Sequence, residues 1–369
     1  MALSRGAVIR TYRELRGWTI DELAEAMGLT PSYISMIENE RREPRDMSLW
    51  QRFSQVLNIP WDRIMGHSGG GTPPNAPPGG LDLADEESLL AACWSLFYRS
   101  GFTAAVPVVY GAIRRLTAAG AASGDGLMLR LLGRYHQLAT ALARDNDNLT
   151  AAVSHGTLAL DIARQQNEPE TVGSALFRLA RTYHALQNED LALQLSREAV
   201  ALASRTRAPL RGYLYQHLAD LSSATKAEPR YVVEGYLDKA RAALRGNQEE
   251  DGSFTVLSEA GIAHDEATVR LRFGSSLAEC RMAINRAGKT LPADAIRWRT
   301  GLTCTEVLAY AKFGEIDSAV ALAEDVLAAA APSSSQRKRL RTAYVLLKQQ
   351  APNHPAVARL EHRLETVPA

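Results

Sequence analysis

No H-E-x-x-H, no C-x-x-C and no phosphate-cradling glycine loop occurs in these 369 residues. The usual marks of a zinc peptidase, a paired-cysteine metal or redox site and a nucleotide site are therefore missing. Cysteine is scarce: Cys93, Cys280 and Cys304 form an odd, widely spaced set. That argues against a disulfide framework and for a reducing compartment. Long apolar runs are missing too. No stretch approaches the ~18 consecutive apolar residues that a membrane span needs, and the first residues lack the apolar core of a secretory signal. A cytoplasmic chain with no membrane partner is expected. Alternating β-branched runs are nearly absent, so the fold class expected is all-α.

An excess of one charge is also lacking. Net charge is +1, and within residues 1–66 nine arginines meet nine acidic residues. The basic footprint of a nucleic-acid binder is thus absent in bulk, although Arg41, Arg42 and Arg45 cluster locally. No catalytic constellation stands out. His264-Asp265-Glu266 is the densest ionisable cluster, but neighbours on a helix point about 100° apart and cannot converge on one ion. An exposed polar face is expected there. Cys93 and Cys304 sit in apolar helical company and read as core. No metal, no cofactor and no enzymatic activity are expected.

What is present begins with Thr19–Asn39, TIDELAEAMGLTPSYISMIEN. Ala24 is the small residue that two steeply crossing helices need at their contact, and Gly28 tolerates the positive φ of the turn between them. Leu23, Met27, Leu29, Ile34 and Ile37 take inward positions. Thr30, Pro31, Ser32, Ser35, Met36 and Asn39 are left on the opposite face. Thr19 with Glu22 makes a capping box, and Thr30-Pro31 an N-cap with proline at the first helical position.

The run from Arg10 to Arg45 resembles the Cro-type (XRE) helix-turn-helix repressors. It carries Arg13, Gly17-Trp18-Thr19, Glu22-Leu23-Ala24, Ile34-Ser35-Met36-Ile37-Glu38 and a basic, Pro-containing loop, Arg41-Arg42-Glu43-Pro44. The resemblance implies a five-helix, lambda-repressor-like domain. Asp46 would cap a helix with Leu49, Phe53, Val56 and Leu57 inward, and 59–65 would form a short fifth helix. Pro31, Ser32, Ser35 and Met36 would face bases, with Tyr33 at the groove edge. Thr19, Thr30, Asn39, Arg41 and Arg42 would hold phosphates. A pair of heads would span an inverted repeat in duplex DNA, about 34 Å between recognition helices. Arg13 and Glu38 would form a salt bridge joining the first helix to the end of the recognition helix. Two positions depart from the pattern. Ile20 stands where most relatives carry a phosphate-touching Gln, and Glu40 replaces a Gly, which points to Asn39 as the left-handed residue at the helix end.

Residues 66–80 hold six glycines and four prolines. Such a stretch breaks helices and buries nothing, and its ends would lie about 20 Å apart as a flexible coil. Three regions follow: a head at 1–66, a linker at 67–81 and a helical body at 82–369. The body repeats at low fidelity. LFRLARTYHALQNEDLALQLSREAVAL (176–202) and CTEVLAYAKFGEIDSAVALAEDVLAAA (304–330) both show an aromatic (Tyr183, Tyr310), a polar turn, then alanine nine residues on (Ala192, Ala319). Weaker copies at 134–166, 211–245 and 262–288 follow at pitches near 40. This order resembles tetratricopeptide (TPR) helix pairs and implies an α-solenoid of five to seven pairs ending in a polar helix at 355–366. An irregular helical bundle is the alternative.

Such superhelices present the first helix of each pair to a concave surface. The repeat register places Arg178, Arg181, His184, Gln216, Asp220 and His264 toward it, with His217 a further candidate. Head, linker and body together are similar in architecture to the RRNPP regulators, which implies a short peptide as ligand. Two readings remain open. One is a homodimeric DNA-binding transcription regulator whose body dimerises and senses a peptide or other small ligand. The other is a scaffold that sequesters a partner protein, its head secondary.

Overall fold

The computed structural model describes residues 5–15, 18–42, 44, 47–57, 59, 82–99, 105–123, 126–246, 252–329 and 332–366. Asp46, all but Ile59 of the fifth helix expected at 59–65, and the linker lie outside these residues. The chain divides into two compact units, 1–80 and 81–369.

In the first unit four helices are described: α1 (Arg5–Leu15), α2 (Ile20–Met27), α3 (Pro31–Glu38) and α4 (Met47–Val56). Both start signals operate as physical caps. Thr19 Oγ1 accepts the Glu22 amide while Glu22 accepts the Thr19 amide, and Thr30 Oγ1 accepts the Tyr33 amide. Gly28 turns the chain at φ 58°. Leu23, Ala24, Met27, Ile34 and Ile37 are buried with Phe53 of α4 and Leu57 just beyond it, and Leu29, Leu49 and Val56 pack partly buried around them. Gly6 lets α1 lie directly on the end of α3, since a Cβ there would overlap the Ile37 carbonyl.

The α3 terminus corrects one expectation. Glu40, not Asn39, is the left-handed residue, at φ 59°, while Asn39 keeps φ −96°. Asn39 is held in the last turn because its side-chain amide donates to the Ser35 carbonyl at 2.8 Å. The chain therefore reverses one residue later, and the Arg41 and Arg42 amides both fold back on Met36 O.

The described part of the second unit is built from seven antiparallel helix pairs: α5 (Leu83–Arg99) with α6 (Ala105–Ser123), α7 (Gly126–Asp145) with α8 (Leu149–Gln166), α9 (Pro169–Ala185) with α10 (Glu189–Ala201), α11 (Ala208–Thr225) with α12 (Arg230–Leu244), α13 (Glu259–Arg272) with α14 (Leu277–Thr290), α15 (Ile296–Lys312) with α16 (Ile316–Ala329), and α17 (Ser334–Gln350) with α18 (Pro355–Thr366). It is a TPR-like solenoid. Ala192 and Ala319 are fully buried, and Tyr183 and Tyr310 pack half-buried in the clusters around them. Repetition extends to the backbone. A left-handed residue closes the turn within successive pairs at Asp147, Gln187, Lys226, Gly274 and Gly314. The interval from Lys226 to Gly274 is the longest because an extra loop, ending at 252–258, is inserted between the fourth and fifth pairs.

Successive first helices pack side by side, α7 on α9, α9 on α11 and onward to α15 on α17. The solenoid then closes on itself: α5 also meets α15, and α7 meets α17. Arg297 of α15 stacks its guanidinium 4.1 Å from the Phe97 ring centre and pairs with the Asp145 carboxylate. Ser334 donates to Asp147 at 2.9 Å. Solenoid repeats ordinarily touch only their neighbours, so these contacts between chain-distant pairs close the row of first helices into a ring around a partly open cavity.

Candidate functional site

In the head, the exposed side of α3 carries the residues expected at DNA. Pro31 and Ser32 are exposed, as are Thr30, Asn39, Arg41 and Arg42, while Tyr33, Ser35 and Met36 are half-buried. Ile34, Ile37 and Glu38 occupy the opposite, buried side. Thr19 is exposed beside the start of α2. Local contacts preorganise this surface. The Arg42 guanidinium lies 5.4 Å from the centre of the Tyr33 ring, and the Asn39 amide reaches Ser35 Oγ at 3.3 Å, leaving that hydroxyl free to donate outward. No lysine, arginine or glutamine projects from α3 itself, so bidentate pairing with guanine or adenine is not available from the helix. Behind it, Arg13 Nε and Nη2 donate to the two Glu38 carboxylate oxygens at 2.6 and 2.9 Å, and Nη1 donates to Trp18 O at 2.8 Å.

In the body, one cavity of about 160 Å³ lies among the first helices, and all seven pairs contribute to it. Trp94, Phe97 and Tyr98 come from α5 and Arg144 from α7. Helix α9 gives Phe177, Arg178 and Arg181, and α11 gives Tyr213, Gln216, His217 and Asp220. His264 and Asp265 come from α13, Arg297 and Trp298 from α15, and Gln336 and Arg339 from α17. Of the six groove candidates, Arg178, Arg181, Gln216, Asp220 and His264 line this cavity. His184 does not. It lies at the end of α9, where Nδ1 meets Glu189 of the next helix at 2.7 Å.

Arg178 faces the cavity but is already engaged. It donates to Gln137 Oε1 at 2.7 Å, to Ser174 O at 3.2 Å and to Ser253 O at 2.7 Å, with its guanidinium over Trp94 and Phe177. Ser253 belongs to 252–258, the described end of the inserted loop, a strap that packs against the cavity-lining Arg178, Tyr98 and Trp94. Tyr98 donates to Phe254 O at 2.8 Å, and the Phe254 ring stacks on Trp94. Phe254 is held at φ 53°, a left-handed conformation that is uncommon for a bulky non-glycine residue.

The His264-Asp265-Glu266 segment is not the exposed polar face expected. Glu266 is buried under Arg241, Arg270 and Arg286, whereas His264 and Asp265 turn the other way into the cavity. His264 Nε2 meets Thr305 Oγ1 at 2.8 Å and Nδ1 lies 3.2 Å from Asp265. A segment that looks uniformly polar is thus split between two charge networks by helix rotation. Asp265, Arg144, Arg297 and Arg339 went unidentified from sequence, as did the aromatic wall. In the repeat register fixed by Asp147 and Gln187, Arg144 corresponds to His184 and Arg181 to Ala141, so the arginine at 181 gives no signal for Arg144. Cys93, Cys280 and Cys304 are all buried, and burial pushes the Cys304 thiol up to about 11. Among the described residues no group of three His, Cys, Asp or Glu could hold a metal ion, and no helix is long and apolar enough to cross a membrane.

The helix-turn-helix family model matches residues 9–64. No curated protein shows significant similarity to the chain. Among solved structures, a Rap protein complexed with Competence and Sporulation Factor is 12% identical over 98% of both chains, with a TM-score of 0.49. PlcR of Bacillus thuringiensis, solved with the peptide PapR7 and DNA, is 12% identical over 78% of this chain and 93% of its own, at 0.39. PrgX in complex with iCF10 is 11% identical over 99% of this chain and 98% of its own, at 0.32. The first unit is an XRE-type helix-turn-helix domain, a DNA-binding module, and the second is a TPR-like helical repeat domain.

Proposed function

We propose that the chain is a sequence-specific transcriptional regulator that binds an inverted repeat as a homodimer and responds to a small ligand taken up by its body. The observation that carries this reading is the pairing of a helix-turn-helix head with a cavity to which all seven helix pairs contribute. A ligand touching many pairs favours one superhelical curvature, and in a dimer curvature sets how far apart two tethered heads sit. A change in that distance alters which half-site spacing can be bridged, a coupling typically worth about 1–3 kcal/mol. On DNA, Ser32 and Ser35 offer hydroxyl bonds and Met36 and Pro31 apolar contact to thymine methyls. Thr19, Thr30, Asn39, Arg41 and Arg42 hold phosphates, and DNA shape supplies further discrimination.

A short peptide suits the body best. The strap supports this, because Arg178 and Tyr98 already grip two successive main-chain carbonyls there, the way an extended peptide is held. The partly open cavity is smaller than the roughly 300–1,000 Å³ of drug-sized sites. It receives one end of such a ligand, and the remainder takes the strap's place. The test is DNA affinity of the full chain with and without peptide pools. Arg181→Ala should leave ligand-free DNA binding intact and abolish the ligand's effect. If no pool alters DNA affinity or the melting of the body, the sensor reading fails, and a scaffold that holds a partner protein replaces it.

A further inference from the structure

We propose that the body cavity is an anion site, in which Arg144 and Arg181 take the carboxylate or phosphate group of a small ligand while Gln216 accepts a hydrogen bond from the same molecule. This deepens the sensor reading by naming the chemistry of its ligand, and the binding itself can be tested apart from any effect on DNA.

The charge inventory is lopsided. Five arginines line the cavity against two aspartates. Both aspartates are already engaged: Asp220 pairs with Arg272 at 2.7 Å, and Asp265 accepts from Gln216 Nε2 at 2.7 Å and faces His264. His217 adds no positive charge, since burial, followed by the field of Arg181, pushes its pKa down to about 3. Asp145 behind the wall pairs with Arg297, and its field, with those of Asp220 and Asp265, helps hold Arg181 charged, so three carboxylates stand against the five arginines and a positive surplus remains.

Arg144 is the clearest part of that surplus. Its Nη1 is buried with no hydrogen-bond partner. Its ion-pair partner in the described structure is Asp145, 3.8 Å away, and that carboxylate is claimed by Arg297. Burial, then repulsion from Arg181, lowers the Arg144 pKa to about 9. A buried guanidinium left this way destabilises a fold, a cost that a bound anion would remove. Arg181 is held toward the same space by Tyr213 Oη at 3.0 Å.

Gln216 adds the second requirement. It is 4% exposed, and its Oε1 has no partner. The amide cannot be reversed to cure this, because the carbonyl would then face the Asp265 carboxylate. An unmet donor and an unmet acceptor thus line one cavity. A ligand answering both carries an acid group and an N–H or O–H, as the last residue of a peptide, an N-acyl amino acid or a hydroxy acid does. At about 160 Å³ the cavity admits a group of that size.

The test is thermal unfolding of the full chain with inorganic phosphate, N-acetylglycine or the neutral N-acetylglycinamide, each against chloride at matched ionic strength. Either anion, at about ten times its dissociation constant, should raise the wild-type midpoint by about 2–4 °C, and the neutral amide should not. Gain from phosphate alone assigns a phosphorylated ligand, and gain from N-acetylglycine assigns a carboxylate. Arg144→Gln should melt at or above wild type without anion and gain nothing from it, whereas Arg144→Lys keeps the gain. Arg181→Gln should lose the gain as well. Equal shifts in all chains, no shift with either anion, or an Arg144→Gln chain that melts lower yet keeps its anion gain would each overturn the proposal. A midpoint gain without any change in DNA affinity supports the site and overturns the sensor reading alone.

Discussion

Arg13 and Glu38 meet as a two-pronged ion pair, 2.6 and 2.9 Å, with side chains only 9% and 2% exposed. The pair ties α1 to the last turn of α3, the helix expected to enter the groove. Removing one partner strands the other charge, typically at a cost of about 3–5 kcal/mol. Arg13→Met should therefore unfold the head at lower denaturant than wild type, and adding Glu38→Leu should restore part of the loss. A single mutant with unchanged melting and DNA affinity would show that the pair carries no stability.

On DNA, the two groups of residues should behave differently. Replacing Arg41 and Arg42 by Ala should weaken every site to a similar degree and reduce the salt slope. Ser32→Ala should act unevenly across a panel of half-site sequences. Titrations over such a panel check this, and a uniform loss for both changes contradicts the assignment.

The body should hold the dimer. The head is small and has no surplus charge, while the solenoid exposes large apolar side chains, among them Tyr231, Met282 and Ile296. Cleavage within 67–81 should release a monomeric head and a dimeric body, with DNA affinity falling sharply as effective concentration is lost. Ultracentrifugation of both fragments decides, and a dimeric 1–66 beside a monomeric 82–369 reverses the claim.

Stability should fall on mild acidification. His136 and His155 share a hydrogen bond, Nδ1 to Nδ1, at 2.9 Å, which requires one ring to accept and so to be neutral. Burial lowers both pKa values to about 4, His136 with a further push from His155. The unfolded rings protonate near 6.5, so between these values the unfolded state binds more protons. Their contribution is complete above about pH 6.5 and is lost as pH falls toward 4, by about 1.4 kcal/mol per unit for each ring. Urea unfolding between pH 7 and 5 should show this slope, and His155→Gln should lessen it. Identical slopes in the two chains contradict the account.

Much of the head is visible in its sequence because its determinants are local. Ala24, Gly28 and the Thr19–Glu22 box lie within one helical turn of what they control. The left-handed residue was misplaced by one position because Asn39's bond to Ser35 competes with its backbone preference. In the body, Tyr183 with Ala192 and Tyr310 with Ala319 reveal the helix pair, again a short-range relation. The contact between the first two and last two pairs is not legible. It depends on how small rotations accumulate over seven pairs until Arg297 reaches Phe97 and Asp145, and no local pattern encodes that. Phe254 was hidden for a second reason, since the strap is an insertion that the repeat does not predict.

The central claim, a head that reads duplex DNA for the body, is tested most directly by selecting bound fragments from a genomic library with the full chain and sequencing them. An inverted repeat whose half-site centres lie about one helical turn apart should be enriched, and the enrichment should be lost when Arg41 and Arg42 are both changed to Ala. No enrichment at low salt, or enrichment without any repeated half-site, would contradict it.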